Sequence, residues 1–159
     1  VAESMIRKYG LSDTSSILDV GCGKGFLLYE LKKLLPGAKV RGVDVSVYGI
    51  ENSKEEIRSC LSLGNANQLS FADNSFDFVY TITTLHNLYN YDLKSAIEEI
   101  QRVSRKHSYI AVESYRNERE KANLLYWQLT CQSFFSVEEW VWLFKEYGYA
   151  GDYEFIFFE

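Results

Sequence analysis

Ile17-Leu18-Asp19-Val20-Gly21-Cys22-Gly23-Lys24-Gly25-Phe26 runs from a short apolar stretch into three alternating glycines and out into a helix. Ile17 to Val20 suits a buried strand. Beyond the glycines, Leu27, Leu28, Leu31, Leu34 and Leu35 recur at helical spacing, and Pro36-Gly37 ends the pattern. Glycine lets the chain turn sharply and lets a ligand come close to the backbone. The helix behind the turn aims free N–H groups at that ligand. In an open parallel sheet, ligands sit beyond the carboxyl ends of the strands, so this turn is where a bound cofactor is expected.

Working outward, strands and helices alternate. Ala2 to Tyr9 reads as a short first helix and Val40 to Val43 as the second strand. Ser46 to Arg58 reads as a polar helix with Ser46 as its N-cap, and Cys60 to Leu63 as a third strand. Phe76 to Ile82 follows the turn residues Asp73-Asn74-Ser75 as the fourth strand. Asp92 is the expected cap of a helix carrying Leu93, Ala96, Ile97, Ile100 and Val103 on one face. Arg102, Arg105, Lys106 and His107 are expected around the end of that helix, before a fifth strand over Ser108 to Val112. Residues 114–133 break the rhythm and read as an inserted helical or lid segment. Ser136 with Glu139 forms a capping box for a helix bearing Val137, Trp140, Val141, Phe144 and Tyr147; Gly148 ends it, and Tyr153 to Phe158 is the last strand. The expectation is one α/β domain over residues 1–159, Rossmann-like and doubly wound, with a mostly parallel sheet of six or seven strands and helices on both faces.

Nineteen residues after Gly25 stands Asp44, at the end of the second strand. A carboxylate there can accept hydrogen bonds from both hydroxyls of a ribose. The glycine turn and this acid together read as a nucleoside-cofactor site. The dinucleotide fingerprint places its third glycine one position later than Gly25, where this chain has Phe26.

On these residues the chain resembles the class I S-adenosylmethionine-dependent methyltransferases. The resemblance is carried by Leu18 to Gly25, Gly42 to Ser46, Gly64-Asn65-Ala66, Phe76 to Tyr80 with Leu85-His86-Asn87-Leu88, and Ile97 to Val103. It implies S-adenosyl-L-methionine as cofactor and S-adenosyl-L-homocysteine as product. It puts Asp19 and the turn Gly21, Cys22 and Gly23 beside the methionine part, Asp44 on the ribose, Val45 and Asn65-Ala66 at the adenine, and Thr81 and Ile82 toward the sulfonium. The family's sheet usually ends with a seventh, antiparallel strand. Here one strand follows the last helix, so the sheet has six strands or the natural chain is longer.

The implied reaction is methyl transfer to a small-molecule acceptor. His86, just past the fourth strand, is the candidate general base if the acceptor must lose a proton; the bland alternative is packing beside the cofactor. Glu113, Tyr115, Tyr126 and Trp127 are candidate substrate contacts. Cys22 reads as a small turn residue.

The remaining composition narrows the class. The chain has 17 Lys and Arg against 22 Asp and Glu, a net charge of −5, and no evident basic stripe, which disfavours nucleic acid. No apolar run reaches the ~18 residues of a membrane helix. Three cysteines without a CxxC spacing argue against a disulfide framework or a metal site and for a reducing, cytoplasmic setting. The start at Val1 without Met or leader suggests processing. With so short a chain, a second copy or a partner chain can be required to complete the acceptor site. Two rival readings stand beside the enzyme: a methyltransferase-like binding module without activity, and, with less support from the glycine spacing, a nicotinamide-dependent oxidoreductase.

Overall fold

The computed structural model describes residues 1–128 and 130–159. Six strands, β1 (Ser16–Val20), β2 (Lys39–Asp44), β3 (Leu61–Leu63), β4 (Phe76–Ile82), β5 (Ser104–Glu113) and β6 (Asp152–Ile156), form one sheet in the order β3-β2-β1-β4-β5-β6. Every neighbouring pair is parallel. The strand order reverses between β1 and β4, which makes the ends of these two strands the topological switch point.

Period-two alternation fills both faces of the sheet. Leu18 and Val20 of β1, Val79 of β4, and Ile110 and Val112 of β5 pack on one side under α5 (Asn90–Val103) and α7 (Val137–Glu146). Ile17, Phe78, Tyr80, Tyr109 and Ala111 face the other side under α1 (Ala2–Tyr9) and α2 (Phe26–Leu34). Trp140, Phe144, Ile97 and Leu93 are among the fully buried side chains, so the apolar stripes of α5 and α7 form the core of their layer.

Some local expectations need correction. The stretch 46–58 is two short helices, α3 (Val47–Glu51) and α4 (Glu55–Arg58). Ser46 caps α3 by accepting from the Gly49 N–H, and the Ser53 hydroxyl donates to the Ile50 carbonyl at 2.6 Å, which closes the helix locally before α4 begins. The N-cap of α5 is Tyr89; Asp92 lies in the first turn and accepts from Asn67 Nδ2. The fifth strand begins at Ser104, directly after α5, because Ser104 to His107 pair with the start of β4. Arg105 and Lys106 therefore do not end a helix; both pair with Asp77 of β4. The segment between β5 and α7 contains α6 (Glu118–Trp127), with Asn117 accepting from the Glu120 N–H as its cap. Leu129, part of the expected insert, lies outside the described residues. The capping box of Ser136 and Glu139 is present. No helix among the described residues is long and apolar enough to cross a membrane.

Candidate functional site

At the carboxyl ends of β1, β2 and β4 lies a cavity of about 240 Å³. Gly21, Val43, Asp44 and Val45 form one wall; Gly64, Asn65 and Ala66 form the next; Thr83, Thr84, Asn87 and Leu88 form the third. Its size approaches the ~300 Å³ at which small-molecule pockets usually begin.

The glycine turn is built for this position. Gly21 has a φ of +81°, and a Cβ there would lie 2.1 Å from the Thr84 hydroxyl oxygen. Only glycine lets the β1 turn and the residues after β4 touch. Gly23, at φ +52°, has open space where its side chain would project. The turn's amides are already engaged: the Gly21 and Cys22 N–H groups donate to the Val43 carbonyl, and the Gly23 N–H donates to Asp44 Oδ2 at 2.7 Å. Asp44 Oδ1 accepts from the Ser46 N–H at 2.8 Å. Each carboxylate oxygen thus accepts one amide, and a carboxylate has about four acceptor positions in all. Asp44 is held rigidly at the cavity with acceptor capacity to spare.

The other expected residues fall in different places. Val45, Asn65 and Ala66 line the cavity; Val45 is 71% exposed. Asp19 is buried behind the turn, next to Asp44, Cys22 and Tyr80. Burial pushes its carboxyl up to about 7, with the Tyr80 hydroxyl pulling it partly back and the Asp44 charge adding to the rise. The Cys22 thiol is turned toward Gly42, where a Cβ would meet its sulfur at 2.7 Å, and burial pushes it above the usual thiol range. Thr81 is fully buried and Ile82 partly so. Thr83 and Thr84, one step along the chain, are the residues that reach the cavity. Thr83 has φ +54°, a strained conformation for a β-branched residue, and its N–H donates to the Ala111 carbonyl.

His86 sits in the 3₁₀ turn Leu85–Asn87 that follows. Its imidazole is not on the cavity wall. It is 5% exposed, and Nδ1 lies 2.5 Å from Oε2 of Glu113, itself 2% exposed. The contact lacks the alignment of a good hydrogen bond, and neither carboxylate oxygen of Glu113 has an aligned donor among the described residues. Glu113, expected on the acceptor, lies against His86. Tyr115 stacks on Phe134, Trp127 packs on Phe158, and Tyr126 is 89% exposed, so these aromatics stand away from the cavity.

Sequence reasoning left Gly64, Thr83, Thr84, Asn87 and Leu88 unassigned. Their neighbours Asn65-Ala66 and the Leu85-His86-Asn87-Leu88 run were the available signal. A second cleft of about 270 Å³ lies at the opposite end of the sheet, beside Tyr9, Arg105, His107 and Asp152. Its charges satisfy one another: Arg105 and Lys106 pair with Asp77, and Lys8 with Asp152. Among the described residues, its lining cations Arg105 and Lys106 and its lining carboxylate Asp152 are all in ion pairs.

Residues 11–148 match a family model described as a methyltransferase domain. An uncharacterized methyltransferase of Schizosaccharomyces pombe is 34% identical over 109 residues, which cover 61% of this chain and 38% of the relative. The O-methyltransferase resE of Aspergillus sclerotiorum is 35% identical over 121 residues, covering 69% of this chain and 45% of the relative. The chain thus spans less than half the length of these curated relatives. In fold it resembles the YcgJ protein of Bacillus subtilis, with a TM-score of 0.74 at 20% identity over 92% of this chain and 66% of that one. A SAM-dependent methyltransferase of Aquifex aeolicus gives a TM-score of 0.66 at 22% identity over 92% of this chain and 78% of that one.

Proposed function

The chain belongs to the class I S-adenosylmethionine-dependent methyltransferase family, and from that membership we propose that it transfers a methyl group to a small-molecule acceptor. The observation that carries the reading is Asp44, fixed by the Gly23 and Ser46 amides at the end of β2 with acceptor positions left over. A ribose diol matches that capacity, and the open space beside Gly23 admits the chain of atoms that leads from ribose to methionine. Asp44 is therefore the ribose acceptor. Val45, Asn65 and Ala66 flank the adenine, and Thr83 and Thr84 close the cavity toward the sulfur.

When bound, S-adenosylmethionine supplies a methyl carbon on a positively charged sulfur, a leaving group that requires no acid to depart. The protein's contribution is then chiefly to fix both partners in line, which can be worth several kcal/mol (~7–11 in the best-aligned cases). The rigid turn, locked by Gly21 against Thr84, supplies that fixity on the donor side. Asp19 stands buried behind the turn and supports it from outside the cavity lining. The relative resE, named an O-methyltransferase, lends support to a small-molecule acceptor with an oxygen nucleophile.

Titration calorimetry with S-adenosylhomocysteine tests the reading. Wild-type protein is expected to bind, and Asp44→Ala to lose at least about 10-fold in affinity, the equivalent of ~1.4 kcal/mol. An absence of heat with the wild type, for the donor and for its demethylated product alike, rejects it.

A further inference from the structure

Tyr9 of α1 and Tyr109 of β5 stand with ring centroids 6.4 Å apart and planes inclined at 54°, so the two rings form the sides of a corner. Each residue is only 9% exposed. A cavity of about 160 Å³ opens beside them, lined also by Met5, Lys8 and Glu154. It shares no lining residue with the cavity beside Asp44. Burial pushes both phenols above the usual range, with the Asp152 and Glu154 carboxylates adding to the rise, so both rings stay neutral. Lys8 shows what the corner attracts. Its Nζ lies 5.3 Å from the Tyr9 centroid and 5.9 Å from that of Tyr109. Both distances fall within the ~6 Å at which the negative face of an aromatic ring attracts a cation.

The charges around the corner do not balance. Lys8 is committed to Asp152, Nζ to Oδ2 at 3.0 Å, and the Tyr9 hydroxyl donates to the same oxygen at 3.0 Å. Glu154 accepts from the Tyr109 hydroxyl at 3.0 Å and has no cation partner among the described residues. Two carboxylates thus share one ammonium, and a carboxylate holding a single hydrogen bond has acceptor positions left over. We propose that this cavity binds a small organic cation, an ammonium group methylated at nitrogen, with its head against the Tyr109 ring and Glu154. Methyl groups suit the site better than N–H donors. They spread the charge over a weakly hydrated surface that matches the rings and the Met5 side chain, whereas a primary ammonium loses its water for one acceptor, Glu154. Lys8, with 49% of its side chain exposed, is a competitor for the same corner and holds the affinity down.

The test is a nuclear magnetic resonance titration of the wild-type protein with choline and, separately, with 3,3-dimethylbutan-1-ol, its uncharged carbon isostere. Choline is expected to shift the ring resonances of Tyr9 and Tyr109 saturably, and the isostere to bind at least about 10-fold more weakly, because the ring faces attract the charge and not the shape. Lys8→Gln, which keeps a donor for Asp152, should tighten choline binding severalfold. Glu154→Gln should weaken it severalfold. Tyr109→Phe keeps the ring and should hold choline, while Tyr109→Leu should lose it. No saturable shift with choline, equal binding of the isostere, or the same choline affinity in Lys8→Gln and Glu154→Gln overturns the proposal. The isostere comparison is made on the wild type and stands even where a tyrosine variant fails to fold. These titrations contain no S-adenosylhomocysteine, so their failure leaves the methyl-transfer reading as it was.

Discussion

Asp19 shows how one residue links burial, stability and binding. Its folded pKa of about 7 lies above the unfolded value of 3.8, because burial penalises the charge. Between those values the native state keeps a proton that the unfolded chain has released. The stabilisation this brings is complete below about pH 4 and is lost as the pH rises through about 7. Asp19→Asn keeps the neutral shape at every pH, so urea denaturation should show a flatter fall in stability from pH 5 to 8 than in wild type, with the variant ahead by up to a few kcal/mol at pH 8. An unchanged slope contradicts the assignment. Gly21→Ala should fail for a steric reason: the new methyl lands on Thr84 in a backbone region that disfavours it, and a loss of more than about 2 kcal/mol is expected in the same assay. The glycines and Asp44 were legible because chemistry dictates them at fixed spacing along adjacent strands. Thr83 was not. A β-branched residue at φ +54° is imposed by the contacts around it, here its N–H bond to Ala111, and no local propensity announces it. The meeting of Glu113 with His86, 27 positions apart in sequence, likewise depends on how β4 and β5 align.

At the level of elements, Asp77 ties β4 to both of its neighbours. Its carboxylate accepts from the Ser16 N–H and hydroxyl at the start of β1, and from Arg105 in β5, with Lys106 at 3.1 Å. Burial works against the charge, but the Ser16 amide and the two cations outweigh it and hold the carboxyl well below the usual range. The stabilisation from such a depressed pKa is present above the unfolded value near 4 and is lost as the pH falls through the folded value. Asp77→Ala leaves the Ser16 groups without their acceptor and should cost about 2–3 kcal/mol at neutral pH, with a smaller penalty near pH 2. Equal penalties at both pH values, in denaturant titrations, count against the latch. Elements with a strong apolar stripe, such as α5 and α7, could be read directly from their spacing. The first four residues of β5 could not: Ser104-Arg105-Lys106-His107 look like a polar helix end, and they become strand only because Phe76 and Phe78 offer ladder partners across the sheet. Ser46 to Arg58 misled in the opposite way, since Ser53 breaks a pattern that composition alone leaves continuous.

For the molecule as a whole, the sheet order sets where binding can act on stability. The cavity beside Asp44 takes residues from the ends of β1, β2 and β4 and from the segments behind β3 and β4, so a ligand there grips most of the parallel sheet at once. The opposite cleft joins the end of α1 to the segments before and within β5 and β6, and its ion pairs are complete without a guest. A ligand of the folded state alone raises stability by RT ln(1 + [L]/Kd), about 2.7 kcal/mol at a hundredfold excess over Kd. For a chain of 159 residues, that corresponds to a rise in Tm of roughly 5–10 °C. S-adenosylhomocysteine at that excess should produce this shift in the wild type. At the same concentration the shift should be largely abolished in Asp44→Ala and preserved in His107→Asn, whose side chain lies at the far cleft. If His107→Asn suppresses the shift and Asp44→Ala does not, the ligand binds at the wrong end of the sheet for the methyl-transfer reading, in which Asp44 is the proposed ribose acceptor.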